Sequence, residues 1–269
     1  MTKARFLIIL STIISMLMIT STVSAAKIEV SNTTKSALTK MIESADTKLA
    51  KTITTNFDDL MSIQKDNEKW DDLTRKLNSN NNEDLSTVKK QIKLINADKI
   101  TKLQAQVDQA KTKLQPLTTL GKALKEQLTA ANKQKDKSLA ALIQMQIDSV
   151  QITTQIVKAD ISVKEKSLKS TKEETAKKVQ SIRDTIAGID PIKAQIKTKK
   201  TAISDLNKQV GEKWSSFLQV VKKGTPQATS DSLASLVSLD RTMNNHKQAI
   251  HQSEKQINTI IMKAKSQIP

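Results

Sequence analysis

The chain has 269 residues, with 44 Lys plus Arg against 27 Asp plus Glu and a formal net charge of +17. It contains no Cys, which excludes disulfides and thiolate metal sites, so stability must come from packing alone. With three Phe, two Trp, no Tyr, four Gly and four Pro it lacks the aromatics and turn residues of a strand-rich domain. Its Lys, Gln, Leu and Ala suit helices instead.

The amino terminus, MTKARFLIILSTIISMLMITSTVSAAKIEV, begins with positive Lys3 and Arg5. An apolar run over about 6–19 follows, and small residues end it at Val23-Ser24-Ala25. That order fits a secretory signal peptide. The run is shorter than the ~20 apolar residues that cross a hydrocarbon layer. Cleavage is expected after Ala25, with Ala26 close behind, and the alternative is an uncleaved anchor with a greasy end at Met16, Met18 and Ile19. The absence of Cys leaves nothing at that point to carry a lipid. Removal of residues 1–25 takes away two positive charges and leaves +15 on residues 26–269. Export without Cys points to a bacterium with a single membrane.

Beyond the leader, apolar residues recur every three or four positions. Leu103, Val107, Ala110, Leu114 and Leu117 form one such run, and Met145, Ile152, Ile156, Ala159 and Val163 a second. Val179, Ile182, Ile186 and Ile189 follow, then Ile192, Ile196, Ile203, Leu206, Val210, Trp214 and Phe217. A narrow stripe of this kind belongs to a helix packed lengthwise on another. The spacing predicts an all-α protein, an elongated antiparallel helical bundle of coiled-coil hairpins. Its helices are placed at about 32–78, 84–131, 137–187, 191–223 and 229–266, in one domain over 26–269.

The breaks rest on local chemistry. The stretch 78–84, Asn-Ser-Asn-Asn-Asn-Glu-Asp, reads as a polar turn followed by a helix cap with acid in the first turn. Pro116 and Gly121 read as a kink, and residues 132–137 as a reversal. Gly188-Ile189-Asp190-Pro191 offers a cap and a first-turn Pro, and Gly224-Thr225-Pro226 an ending and a new start, with Ser230 as a second cap. Glu68-Lys69-Trp70 and Glu212-Lys213-Trp214 stand ahead of two of these breaks like a repeated unit. Trp70, Trp214 and Phe217 are therefore assigned to packing at hairpin ends, where wide side chains plug diverging helices; the alternative is a platform for a sugar ring or a partner helix.

Catalytic chemistry is sparse, and no enzyme, metal or cofactor is expected. His246 and His251 are five apart, about 140° around a helix, so they do not form an i, i+4 ligand pair, and both read as surface residues. The acids Asp58, Asp59, Asp66, Glu68, Asp71, Asp72, Glu83 and Asp84 lack the pattern of a calcium loop and read as a solvated surface. Positive charge says more. Lys164, Lys166, Lys169, Lys172, Lys177 and Lys178 follow one another, then Lys193, Lys197, Lys199 and Lys200, with Lys89, Lys90, Lys93 and Lys99 as a smaller group. Basic helices attract polyanions. Nucleic acid is disfavoured, because the chain is exported and Arg, the residue of bidentate recognition, stands only at Arg5, Arg75, Arg183 and Arg241.

The expected role is that of a secreted, non-enzymatic protein of the cell envelope. Its candidate partners are anionic wall polymers or lipid headgroups, another protein, or itself. The alternatives are a soluble component of a helical pore-forming toxin, though no long apolar run follows the leader, and a coiled-coil regulator of a wall hydrolase acting in trans. Amino-terminal sequencing of protein from medium or wall should begin at Ala26 or Lys27; intact Met1–Ala25 in the membrane fraction would contradict export by cleavage.

Overall fold

The computed structural model describes residues 28–269. The leader and its cleavage point lie outside the described residues. The fold is all-α, with no strand among the described residues. Six helices follow in order: α1 (Asn32–Ser44), α2 (Thr47–Leu94), α3 (Ala97–Lys133), α4 (Lys137–Ala187), α5 (Ile189–Lys223) and α6 (Pro226–Ser266). They divide into two compact units, one of residues 28–77 with Lys193–Ser253, the other of Asn78–Ile192 with Glu254–Pro269.

Several helix ends have a visible local cause. Ser31 caps α1 through the Thr34 amide, and the Asp46 carboxylate accepts from the Leu49 amide at 2.9 Å to start α2. Asn96 adopts a left-handed conformation, φ 55°, between α2 and α3. Asn tolerates that region because its short polar side chain bonds locally or to a neighbour; here it reaches Thr175 Oγ1 at 2.8 Å. Lys135, φ 62°, makes the reversal between α3 and α4, and Asp136 then caps α4 through the Leu139 amide. Gly224, φ +72°, closes α5, and Pro226 opens α6 without needing an amide hydrogen.

One expected break and two expected helices are corrected. Residues 78–84 form no turn, because α2 runs through them unbroken. Asn is a poor helix former, but the Asn78 and Asn81 amides donate to Glu254, an interaction across helices that outweighs local propensity. Residues 84–131 do not form one helix either, since the break falls at 95–96, and a further break at 45–46 divides the first expected helix. Helix α3 continues through Pro116 and Gly121. The reversal expected at 132–137 is found at 134–136.

In the first unit, α2 and α6 run parallel: Asp59 pairs with Arg241, Asn67 with Asn244 and Asp71 with Lys247, so numbers rise together. Buried residues recur every seven positions. Ile53, Leu60 and Asn67 lie on α2, Ile196, Ile203, Val210 and Phe217 on α5, and Leu236, Met243 and Ile250 on α6. A strict seven-residue repeat keeps each seam facing its neighbours as the helices wind. Leu38 and Met41 bury the inner face of α1.

In the second unit, α3 and α4 form an antiparallel hairpin. Gln104 meets Lys172 and Lys111 meets Glu165, so numbers on one helix rise as those on the other fall. Beside the reversal, Leu124, Ala131, Ile143 and Ile147 make a small core with Leu128, Ala140 and Val150. The carboxyl end of α6 joins this unit through Gln267, which bonds Thr185. One predicted seam faces the other way. Met145, Ile152, Ile156, Ala159 and Val163 are exposed, while Ile143, Ile147, Ile161 and Leu168 bury the opposite side of α4. The remaining predicted seams point inward, with Val107, Ala110, Ile182, Ile189, Ile196, Ile203 and Phe217 buried.

Ile203→Ala, at a buried seam position, should cost about 2–5 kcal/mol in urea unfolding, against under about 0.5 kcal/mol for exposed Leu94→Ala.

Candidate functional site

Among the described residues no three His, Asp or Glu stand together as a metal site, and no helix is long and apolar enough to cross a membrane. The unusual chemistry lies inside the seams. In the first unit, the seven-residue line of α6 that holds Leu233 also holds Asp240 and Lys247, both 2% exposed. The Lys247 ammonium donates to Asp71 Oδ2 at 2.6 Å and towards the Asn67 carbonyl at 3.5 Å. Asn67, equally buried, accepts from the Asn244 amide at 3.1 Å. A buried ammonium without a carboxylate partner would be strongly destabilising.

Asp240 lies on the same line. Burial pushes its carboxyl up to about 6, opposed by a hydrogen bond from Gln64 and by the Lys247 charge. The cause is the loss of water around a carboxylate inside the bundle.

In the second unit, Glu254 is buried and accepts the Asn78 amide at 2.8 Å on one carboxylate oxygen and the Asn81 amide at 2.9 Å on the other. Asn81 also donates to the Glu254 carbonyl and accepts from Asn258. Every one of these partners is a side chain or backbone group of α2 or α6, so both polar sets are internal to the bundle.

The aromatic assignments change with the helix map. Trp70 lies in the middle of α2, far from either end of that helix, and its half-buried ring sits 5.3 Å from the His251 ring, tilted by 50°. His251 is thus a buried residue and His246 a half-buried one, and neither belongs to the open surface. Trp214 stacks on Phe217 at 4.9 Å in the last third of α5, with Phe217 fully buried. The acids expected around a first hairpin end lie instead along α2, where Asp59 and Asp71 pair with α6.

The ten lysines fall into both units: Lys164, Lys166, Lys169, Lys172, Lys177 and Lys178 on α4 in the second, Lys193, Lys197, Lys199 and Lys200 on α5 in the first. On α4 they point all round the helix; on α5, Lys193, Lys197 and Lys200 share one face by their spacing of four and three. Lys164 pairs with Asp160 and Lys169 with Glu173, each four residues away on α4. Two open grooves of the second unit use lysines. One, of about 660 Å³ between α4 and the end of α6, is lined by Lys177, Gln180, Ser181, Asp184, Thr185, Lys263 and Gln267. The other, of about 400 Å³ between α3 and α4, sets Lys111, Lys169 and Lys172 against Glu165 and Glu173.

Sequence reasoning passed over the buried ions. Their signal was the seven-residue line itself: Asn67, Thr74 and Asn81 continue from Ile53 and Leu60 to Val88, and Asp240, Lys247 and Glu254 run from Leu233 to Ile261. No protein-family model matches this chain, and no curated protein or solved structure matches it.

Because the folded Asp240 carboxyl sits above its ordinary 3.8, the folded state holds a proton that the unfolded chain has released. Its relative stabilisation is complete below about pH 4 and lost as pH rises through about 6, a cost of at most about 3 kcal/mol. Asp240→Asn should therefore gain stability over the wild type between pH 4 and 6 and hold that gain above, in paired urea titrations. A pH-independent difference would contradict the assignment.

Proposed function

We propose that this chain is an exported, non-enzymatic helical-bundle protein that associates with an anionic polymer of the cell envelope through its lysine-bearing helix faces. The observation that carries the reading is the exposure of the lysines. Lys166, Lys169, Lys172, Lys177, Lys178 and Lys197 are exposed, and Lys164, Lys193, Lys199 and Lys200 half-buried. Among the described residues only Lys164 and Lys169 of these ten sit in ion pairs. The other eight have no carboxylate partner among the described residues, and many weak attractions of this kind add along a charged polymer.

The groove between α4 and the end of α6 supports the same reading. Lys177 and Lys263 stand there as cations suited to phosphate or carboxylate, while the one acid, Asp184, accepts from the Gln180 amide, and Gln267 and Thr185 bond each other. Lysine is a point charge on a flexible stem, so it suits a repeating polyanion better than a single shaped ligand. The +15 balance expected after leader removal acts in the same direction.

A cell-associated fraction should detach as salt rises, because screening shortens the reach of surface charges to ~8–10 Å near physiological ionic strength. Lys177→Gln with Lys178→Gln and Lys263→Gln should lower the salt needed for release. Retention that ignores salt and these substitutions would remove the charge-based reading.

A further inference from the structure

The outward face of α4 carries a second seam that none of the described residues covers. Leu142, Met145, Ser149, Ile152, Ile156, Ala159 and Val163 follow at intervals of three, four, three, four, three and four, and all seven are exposed. Exposure reaches 70% at Met145, 61% at Ile152, 64% at Ile156 and 67% at Val163. The inward seam, through Ile143, Ile147 and Ile161, is already occupied by α3. Helix α4 therefore has two apolar stripes, about 140° apart between Ile147 and Ile152, and only one has a partner.

We infer that this outward stripe of α4 pairs with the same stripe of a second copy of the chain, joining two α3–α4 hairpins side by side. The alternating three-four interval is the period that a facing helix meets in a coiled coil, whereas scattered apolar residues would offer no continuous line. The stripe spans 22 residues from Leu142 to Val163, about 32 Å of helix, or three repeats. Full burial of one aliphatic side chain removes roughly 60–120 Å² of apolar surface. The five exposed large residues from Leu142 to Val163, with Leu139 beside them, thus offer roughly 300–400 Å² per copy. That matches the size of an apolar patch that marks an interaction site on a monomer. With the polar flanks added it approaches the ~800 Å² per partner of a specific dimer.

Charge selects a second copy over other approaches. A +17 chain repels itself, yet from Leu139 to Val157 the sole charged residue is Asp148. The positions beside the seam are Gln146, Asp148, Thr153, Gln155, Asp160 and Ser162, and of the two acids Asp160 is already paired with Lys164. Lysines resume at Lys158, so the low-charge window coincides with most of the stripe. The contact should be weak and concentration-dependent, because its apolar area is small.

Sedimentation of the full chain across a concentration series should show a monomer–dimer equilibrium. Ile152→Glu with Ile156→Glu should move it at least tenfold towards monomer while leaving the melting temperature within about 1–2 °C, since both sites are on the surface. Ser149→Cys, in a chain without other thiols, should oxidise to a linked dimer much faster than Thr118→Cys on α3. Unchanged self-association in the double Glu variant would overturn the inference, as would equal cross-linking at the two cysteines. So would a monomeric wild type whose binding to anionic phospholipid vesicles is lost with the same two substitutions, because the stripe would then face a membrane.

Discussion

A helix that buries a single seam must bring each polar residue on that seam level with a partner on the next helix. Lys247 shows how strict this is. Its ammonium is buried between α2 and α6 and is held by Asp71 at 2.6 Å. On α6 the residues one repeat away on either side are Asp240 and Glu254. A slip of α6 by seven residues in either direction would thus put a carboxylate opposite Asp71 and take Lys247 away. Apolar seams tolerate such slips, because one apolar side chain replaces another at every seventh position. The buried charges forbid them, at the cost of desolvation that Asp240 records in its raised carboxyl. Stability comes from the aliphatic layers, and uniqueness from the polar ones.

The helical class and most helix positions were readable because the repeat is long and aromatics, Gly and Pro are few. The errors share one cause. Local chemistry marked Asn78 to Asp84 as a turn, but Asn78 and Asn81 spend their amides on Glu254 instead of on nearby backbone. The same local rules missed 95–96, where Asn96 makes a left-handed residue without Gly or Pro. On α4 two stripes of equal quality exist, and the one named from sequence is the exposed one. Periodicity shows that a face is apolar; only the position of α3 decides which face is inside. Trp70 was misplaced for the same reason, since its assignment depended on a turn that the helix does not make.

The chemistry of the candidate surfaces was legible only as charge. Ten lysines could be read from the chain, yet their distribution between two units and the Lys177–Lys263 groove needed the fold. Lys247 and Glu254, by contrast, are engaged by partners within the bundle. What remains for partners is the outside: lysine-bearing faces with long reach, and one uncharged apolar stripe with short reach. These two surfaces suit different neighbours, because charge accumulates along a polymer whereas an apolar seam needs a matched helix.

The claim that polar pairs fix the register of α2 against α6 can be tested by cross-linking in this cysteine-free chain. Asp59→Cys with Arg241→Cys marks the observed register, in which those residues touch. Asp59→Cys with Gln248→Cys marks a slip of one repeat. A short thiol cross-linker should join only the first pair in the otherwise unchanged chain. With Asp71, Asp240, Lys247 and Glu254 all replaced by Leu, the second pair should become linked as well, because no buried charge then penalises the slipped register. Cross-linking confined to the first pair after those replacements would show that the register is set by something other than the buried charges.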